Sequence, residues 1–244
     1  MKLKPTTILL DADYFFYRAA CASEYEMTWD ADLTVIAGSL TNAQKIIKSD
    51  IKQLQERFDT DQLIMTFTDL KNFRKKIDSS YKSNRTKRKP CGFKRLLNWA
   101  MTEYNCVRMP QLEADDVLGI LASRGDLTNF VIVSPDKDME QIPCRIYNLK
   151  EEFTQTPEKA EYKLYEQCLS GDTVDGYSGV KGIGKKKAQS ILNNKEGSYW
   201  STVVKTYYDH GYNEADALRN LRLAKILQAA DWDFNKKEPI LFTP

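Results

Sequence analysis

One histidine, His210, occurs in 244 residues, far from the acidic stretches, and that scarcity argues against Ser-His-Asp catalysis and histidine-rich metal sites. Cysteine is hardly more useful: the five (Cys21, Cys91, Cys106, Cys144, Cys168) are scattered, odd in number and form no C-x-x-C. Neither a disulfide framework nor a zinc site follows from such spacing. No apolar run approaches the ~18 residues of a membrane span, so no membrane contact is expected. Met1 to Pro5 shows no signal-peptide cleavage pattern and runs into a strand-like segment, which predicts a cytoplasmic location. Net charge is also scarce, at +2. If the chain is an enzyme, carboxylates and lysines must carry its chemistry.

The small net charge conceals segregation. From Lys71 to Arg95 there are eleven Lys or Arg against one acid, Asp78; from Gly179 to Lys195 there are five Lys and no acid. The acids cluster elsewhere, most densely in Leu112-Glu113-Ala114-Asp115-Asp116-Val117-Leu118-Gly119. Clustered carboxylates repel and resist desolvation, so their company implies a positive partner. Hard oxygen donors suit Mg2+ or Mn2+. On a helix, Glu113 and Asp116 at i and i+3 would share a face. A solvated acidic first turn that favours the helix dipole is the plainer alternative.

Three apolar runs end in aspartate. Ile8-Leu9-Leu10 stops at Asp11-Ala12-Asp13, Leu63 to Thr68 stops at Asp69, and Phe130 to Val133 leads through Ser134-Pro135 to Asp136-Lys137-Asp138. Cys106 to Met109 and Arg145 to Leu149 are shorter strand candidates. Helical spacing lies between them, as in Tyr14 to Ala22 and Gly38 to Phe58. This alternation predicts an α/β fold with a mainly parallel central sheet flanked by helices. Ligands bind such sheets at the carboxyl ends of the strands, so these aspartates should gather on one rim. Thr154 to Glu161 reads as a connector, and Ala215 to Ala230 as a helical piece. A division follows: residues 1–153 as the α/β unit, with the basic stretch at about 71–100, and 154–244 as a helical subdomain.

Gly179-x-x-Gly182-x-Gly184, followed by Lys185, Lys186 and Lys187, has the form of a helix-hairpin-helix at about 176–195. Its glycines would let backbone approach a phosphate, amides at the next helix N-terminus would face the phosphate oxygens, and Lys181 with the three following lysines would add attraction blind to base sequence. In the basic stretch, Lys82 and Arg85, one helical turn apart, are candidates to grip a reacting phosphate, and Tyr81 or Phe93 to stack on an end base.

Asp11, Asp69, the E-x-D-D of Glu113 to Asp116, Asp136-x-Asp138 and Asp172-x-x-Asp175 occur in this order, with Tyr81-Lys82-x-x-Arg85 and the glycine hairpin. The ordered set resembles the 5′-nuclease family of flap endonucleases and the 5′-nuclease domain of bacterial DNA polymerases, most closely phage 5′→3′ exonucleases of the T-seven type. The resemblance spans roughly residues 8 to 195. It implies a helical arch over the site, and a first divalent ion held by Asp11, Asp69, Glu113, Asp115 and Asp116. Asp136, Asp138, Asp172 and Asp175 would hold a second. Asp13 departs from the commoner family pattern, leaving ligand and supporting roles both open. The ions implied are Mg2+, replaceable by Mn2+, with a monovalent cation at the helix-hairpin-helix a further candidate. The partner implied is double-stranded DNA with a 5′ end, nick or flap, or an RNA–DNA hybrid, cut by a monomer; if phage-encoded, the protein would act in the bacterial host cytoplasm. Two rivals stay open: a haloacid-dehalogenase-type phosphatase using Asp11 as nucleophile, and a non-catalytic DNA-end binder.

Overall fold

A run of apolar residues becomes a central strand only if something apolar covers both of its faces, and Ile8, Leu9 and Leu10 have that cover. The computed structural model describes residues 5–244; the reading of Met1 to Lys4 lies outside the described residues. In chain order the elements begin with β1 (Thr7–Asp11), α1 (Ala12–Ala22), a hairpin of β2 (Glu24–Thr28) and β3 (Thr34–Gly38), α2 (Leu40–Phe58) and β4 (Leu63–Thr66). Next come the single turn α3 (Arg74–Ile77), α4 (Phe93–Glu103), β5 (Cys106–Val107), α5 (Ala114–Ser123) and β6 (Phe130–Val133). A 3-10 turn over Lys137–Gln141 precedes β7 (Arg145–Tyr147) and β8 (Glu152–Thr154).

The six-stranded sheet has the order β5-β4-β1-β6-β7-β8, parallel except for β8, which runs antiparallel to β7. Along β1 successive side chains point to opposite faces. Ile8 and Leu10 enter a core with Phe16, Ile47 and Leu96 from α1, α2 and α4. Leu9 enters the opposite core with Val117, Leu118 and Ile120 of α5. The chain leaves β1 toward β4 and β5 and later returns on the other side through β6, so the topological switch lies at β1 and β6, the crevice where α/β sheets bind ligands. Asp11 ends one of those strands, and Ser134 to Asp138 follow the other.

Beyond β8 the chain is helical: α6 (Pro157–Ser170), a two-stranded link of β9 (Gly171–Asp172) and β10 (Tyr177–Ser178), then α7 (Lys185–Asn193), α8 (Tyr199–Asp209) and α9 (Glu214–Ala224). A third core unites them through Leu169, Val180, Ile183, Leu192, Val203, Tyr207 and Leu221. A last hairpin joins β11 (Trp232–Asp233) to β12 (Glu238–Pro239).

Several expectations are corrected. The connector at Thr154 to Glu161 is the start of α6: Pro157 sits where its missing N–H costs nothing, and the Thr156 side chain accepts from Lys159 N. The helical piece at Ala215 to Ala230 ends at Ala224, after which Ile226, Leu227 and Trp232 turn back into the core beneath α5. The basic stretch 71–100 forms no helical arch. Between α3 and α4 it makes turns and irregular chain, because Asp78 Oδ1 binds Ser80 N and the backbone of Lys82 takes φ +54°, both of which interrupt a helix.

Candidate active site

The acidic rim closes around a cavity of about 240 Å³ lined by Asp11, Asp13, Glu113, Asp115, Asp136, Asp138, Asp172 and Asp175, with Lys82, Arg85 and Lys137. Each acid reaches it from a different local cause. Asp11 and Asp13 bracket the start of α1, where the helix dipole favours negative charge. Ser134, the first residue after β6, donates from Oγ to Asp11 Oδ2 at 2.8 Å. Thr68, following β4, donates its N–H to Asp13 Oδ2 at 3.0 Å and accepts Ala114 N at Oγ1, tying Asp13 to α5. Asp136 caps the 3-10 turn by accepting Asp138 N, and Asp172 Oδ1 accepts Val174 N.

Burial and mutual repulsion load these carboxylates. Burial first, then the charges of Asp13 and Asp136, pushes Asp11 up to about 7 against the hydrogen bond from Ser134. Burial and the charges of Asp11, Asp136 and Glu113 push Asp115 well above the usual carboxylate range. Burial and Asp136 raise Asp138 to about 6, against the hydrogen bond from Gln167. Glu113 is the opposite case: burial opposes its charge, but Lys82 and Arg74 hold it at about 2.

The two basic candidates rest on this cluster. Lys82 Nζ pairs with Glu113 and lies 3.4 Å from Asp175 Oδ2; Arg85 Nη2 donates to Asp175 Oδ1 at 2.7 Å. Their i,i+3 spacing comes from a turn, with Arg85 N donating to Lys82 O at 3.3 Å, and not from a helix. Lys82 N also donates to Asp175 O, so the basic loop is docked onto the β9–β10 turn.

Four candidates face elsewhere. Asp116 is fully buried; Arg74 takes both its oxygens, and it also accepts from Glu113 N and Leu227 N. It lies outside the cavity lining, turned to Arg74. Asp69 stands outside the cavity lining: burial works against its charge, but the amides of Gln111, Leu70 and Lys71 hold it below the usual range, with Gln111 N at 2.8 Å from Oδ2. Tyr81 is 2% exposed, stacked on Tyr177, its hydroxyl 2.9 Å from Glu113 Oε2 and 3.0 Å from Asp175 Oδ2. Phe93 is buried against Tyr17. Neither ring is placed to stack on a base. Ser134, Arg74 and Gln167 are supporting residues that the sequence reading missed; only Ser134, next to a strand end, carried a local signal.

The glycine hairpin connects α6 to α7. Val180 and Ile183 are buried in the third core, while Lys181, Gly182, Gly184 and Lys185 to Lys187 are exposed. Gly182 takes φ +81° with open space where a Cβ would lie, and Gly184 starts α7 with no side-chain cap. Gly179 acts differently: a Cβ there would meet Leu169 O at 2.1 Å, so it allows close packing and does not face a phosphate.

The donors lining the cavity are carboxylates, with no sulfur or imidazole. One of them, Asp138 Oδ1, is buried without any hydrogen-bond partner. Hard divalent cations fit this set. Among the described residues no three acidic, histidine or cysteine side chains are already placed around a single ion; the carboxylates stand around the cavity. Among the described residues no helix is long and apolar enough to cross a membrane.

Residues 6–166 match the family model described as the 5′-3′ exonuclease, N-terminal resolvase-like domain. The exonuclease of Escherichia phage T7 is 29% identical, covering 97% of this chain and 93% of its own. The exodeoxyribonuclease of Enterobacteria phage T3 is 27% identical over 97% of this chain and 92% of its own. Among solved structures, the flap endonuclease of phage T5 in complex with DNA and metal ions superposes with a TM-score of 0.64 at 17% identity, covering 91% of this chain and 89% of that one. That likeness shows a shared fold.

Proposed function

The chain belongs to the 5′-3′ exonuclease family, and from that premise we propose that it hydrolyses duplex DNA from 5′ ends, nicks or flaps with Mg2+ in the acidic cavity. It is a 5′-3′ exodeoxyribonuclease, not a phosphatase built on Asp11 and not a passive end binder. The observation that carries the metal assignment is the unpartnered, buried Asp138 Oδ1 within a ring of raised carboxylates. Metal ions in the phage T5 neighbour's complex support the same reading.

Asp11, Asp13, Glu113 and Asp115 on one side, and Asp136, Asp138, Asp172 and Asp175 on the other, are the residues that would hold divalent ions. Bound there, such ions activate the attacking water and stabilise the attacking and leaving oxygens of an in-line displacement. Water forms the new P–O bond as the bond to the leaving sugar oxygen breaks. Lys82 and Arg85 line the same cavity and offset charge that builds on the phosphoryl oxygens. Ser134 and Thr68 keep Asp11 and Asp13 oriented. The exposed lysines and turned backbone of the α6–α7 hairpin hold the duplex by its phosphates, with a monovalent cation as a further ligand there. On this reading the protein acts as a monomer in the cytoplasm, that of the bacterial host if it is phage-encoded.

The test is cleavage of 5′-labelled and 3′-labelled duplex, nicked, flapped and RNA–DNA hybrid substrates with Mg2+. Products released from the 5′ side, abolished by EDTA while the circular dichroism spectrum is unchanged, are expected. Undiminished cleavage in excess EDTA would falsify the metal assignment.

A further inference from the structure

Leu223 to Leu227 leave α9 and pass behind the site, outside the residues matched by the family model. Their backbone polar groups are turned to three buried side chains. Leu223 O and Lys225 O accept from Arg74 Nε and Nη2 at 2.9 and 2.6 Å. Ala224 O accepts from Gln141 Nε2 at 2.9 Å, Ile226 N donates to Gln141 Oε1 at 3.0 Å, and Leu227 N donates to Asp116 Oδ1 at 3.1 Å. The strap presses close to α5: a Cβ on Gly119 would meet Leu227 O at 2.3 Å.

The strap fixes the direction of a longer chain. A backbone N–H can only donate and a carbonyl only accept, so Ile226 and Ala224 dictate which end of the Gln141 amide faces each. Gln141 Nε2 is then left to donate to Gln167 Oε1, at 2.7 Å. That contact in turn leaves Gln167 Nε2 to donate to Asp138 Oδ2, at 2.9 Å. Gln141 and Gln167 are 4% and 7% exposed, so water does not compete for these bonds. With Oδ2 held, Asp138 Oδ1 is the atom left unpartnered. An amide donor holds the carboxylate without cancelling its charge, as Lys or Arg would.

We propose that Gln167 is a positioning residue that presents Asp138 to the metal cavity, set in its amide orientation by Gln141 and residues 223–227. The same strap braces the other acidic group, since Arg74 Nη1 also reaches Glu113 Oε2 at 3.3 Å. The two halves of the acidic ring therefore share one support. This inference rests on the metal-dependent reading above, with the added content that residues beyond the catalytic rim set ion affinity.

The test measures Mn2+ binding by calorimetry without DNA, melting of the metal-free protein, and kcat and KM on labelled duplex, for wild type, Gln167→Met and Gln141→Glu. Gln167→Met is expected to weaken Mn2+ binding about 10- to 100-fold. Its kcat at subsaturating Mn2+ should fall while KM for DNA and metal-free melting stay near wild type. Gln141→Glu cannot donate to Gln167 when ionised, and is expected to weaken Mn2+ binding likewise although it does not touch Asp138. Wild-type Mn2+ affinity in Gln167→Met overturns the inference alone. No Mn2+ binding by the wild-type protein sinks the functional reading, and this inference with it.

Discussion

Arg74 meets Asp116 fork to fork, with Nη1 to Oδ2 and Nη2 to Oδ1 both at 2.7 Å and the two side chains 3% and 0% exposed. A buried pair of this kind contributes little over an apolar pair but is costly to break from one side. Asp116→Asn leaves the guanidinium with only its longer contact to Glu113 and is expected to cost about 3–5 kcal/mol of stability. Urea denaturation of the metal-free protein checks it, and an unchanged midpoint would mean that another group neutralises Arg74.

Lys82 is tied to Glu113 and Asp175, and lines the cavity where phosphate would enter. Lys82→Ala is expected to lower kcat by about 10²–10³, the range for a lost charge-stabilising donor, with a smaller effect on KM. Steady-state kinetics on a 5′-labelled duplex separates the two. Loss confined to KM would reassign Lys82 to uniform substrate binding.

The raised carboxylates set a pH dependence. Folded Asp11 and Asp138 sit at about 7 and about 6, against 3.8 for an ordinary Asp. Between about pH 4 and about pH 7 the folded metal-free protein therefore holds protons that the unfolded chain has released. Its unfolding free energy must fall as pH rises through that window. Divalent cations have to displace the same protons, so their affinity rises with pH over the same range. Denaturation midpoints in EDTA, paired with Mn2+ titrations, read both slopes. A midpoint that climbs with pH in EDTA contradicts the assigned shifts.

Lys186 is exposed at the start of α7, without an ion-pair partner among the described residues. Lys186→Ala is expected to weaken duplex binding equally for unrelated sequences and to reduce the salt slope by about 1. Binding isotherms on several duplexes across a salt series test it. A defect concentrated on one sequence would point to base reading instead.

Asp11, Asp13, Asp136 and Asp138 were legible because they follow short apolar runs and parallel strands deliver their ends to one edge, although Asp69, after a third such run, stands outside the cavity. The E-x-D-D stretch misled because i,i+3 spacing holds only inside a helix. Glu113 is the extended residue before α5, with ψ 162°, and Asp116 folds back to accept its N–H. The two carboxylates serve different purposes: one lines the cavity, and the other has both oxygens held by Arg74. Tyr81 sits in a stretch dense with Lys and Arg, which reads as exposed, yet its ring is covered by Tyr177, nearly a hundred positions later. Arg74, Gln141 and Gln167 gave no local signal, since Arg74 and Gln141 find partners in residues 223–227, Gln167 finds its own at Gln141 and Asp138, and nothing in their own neighbourhood announces burial. The hairpin of β2 and β3 escaped notice because its strands are short and largely solvent-facing, and only β2 alternates polar with apolar residues.

The strap also bears on how the chain comes to be active. Synthesis runs from the amino end, so Arg74, Asp116 and Gln141 emerge long before Leu223 to Leu227, which supply their backbone partners. A half-made polypeptide on the ribosome carries these groups unsatisfied, and its acidic ring has no brace. Full cutting power would therefore wait on the translation of Leu223 to Leu227.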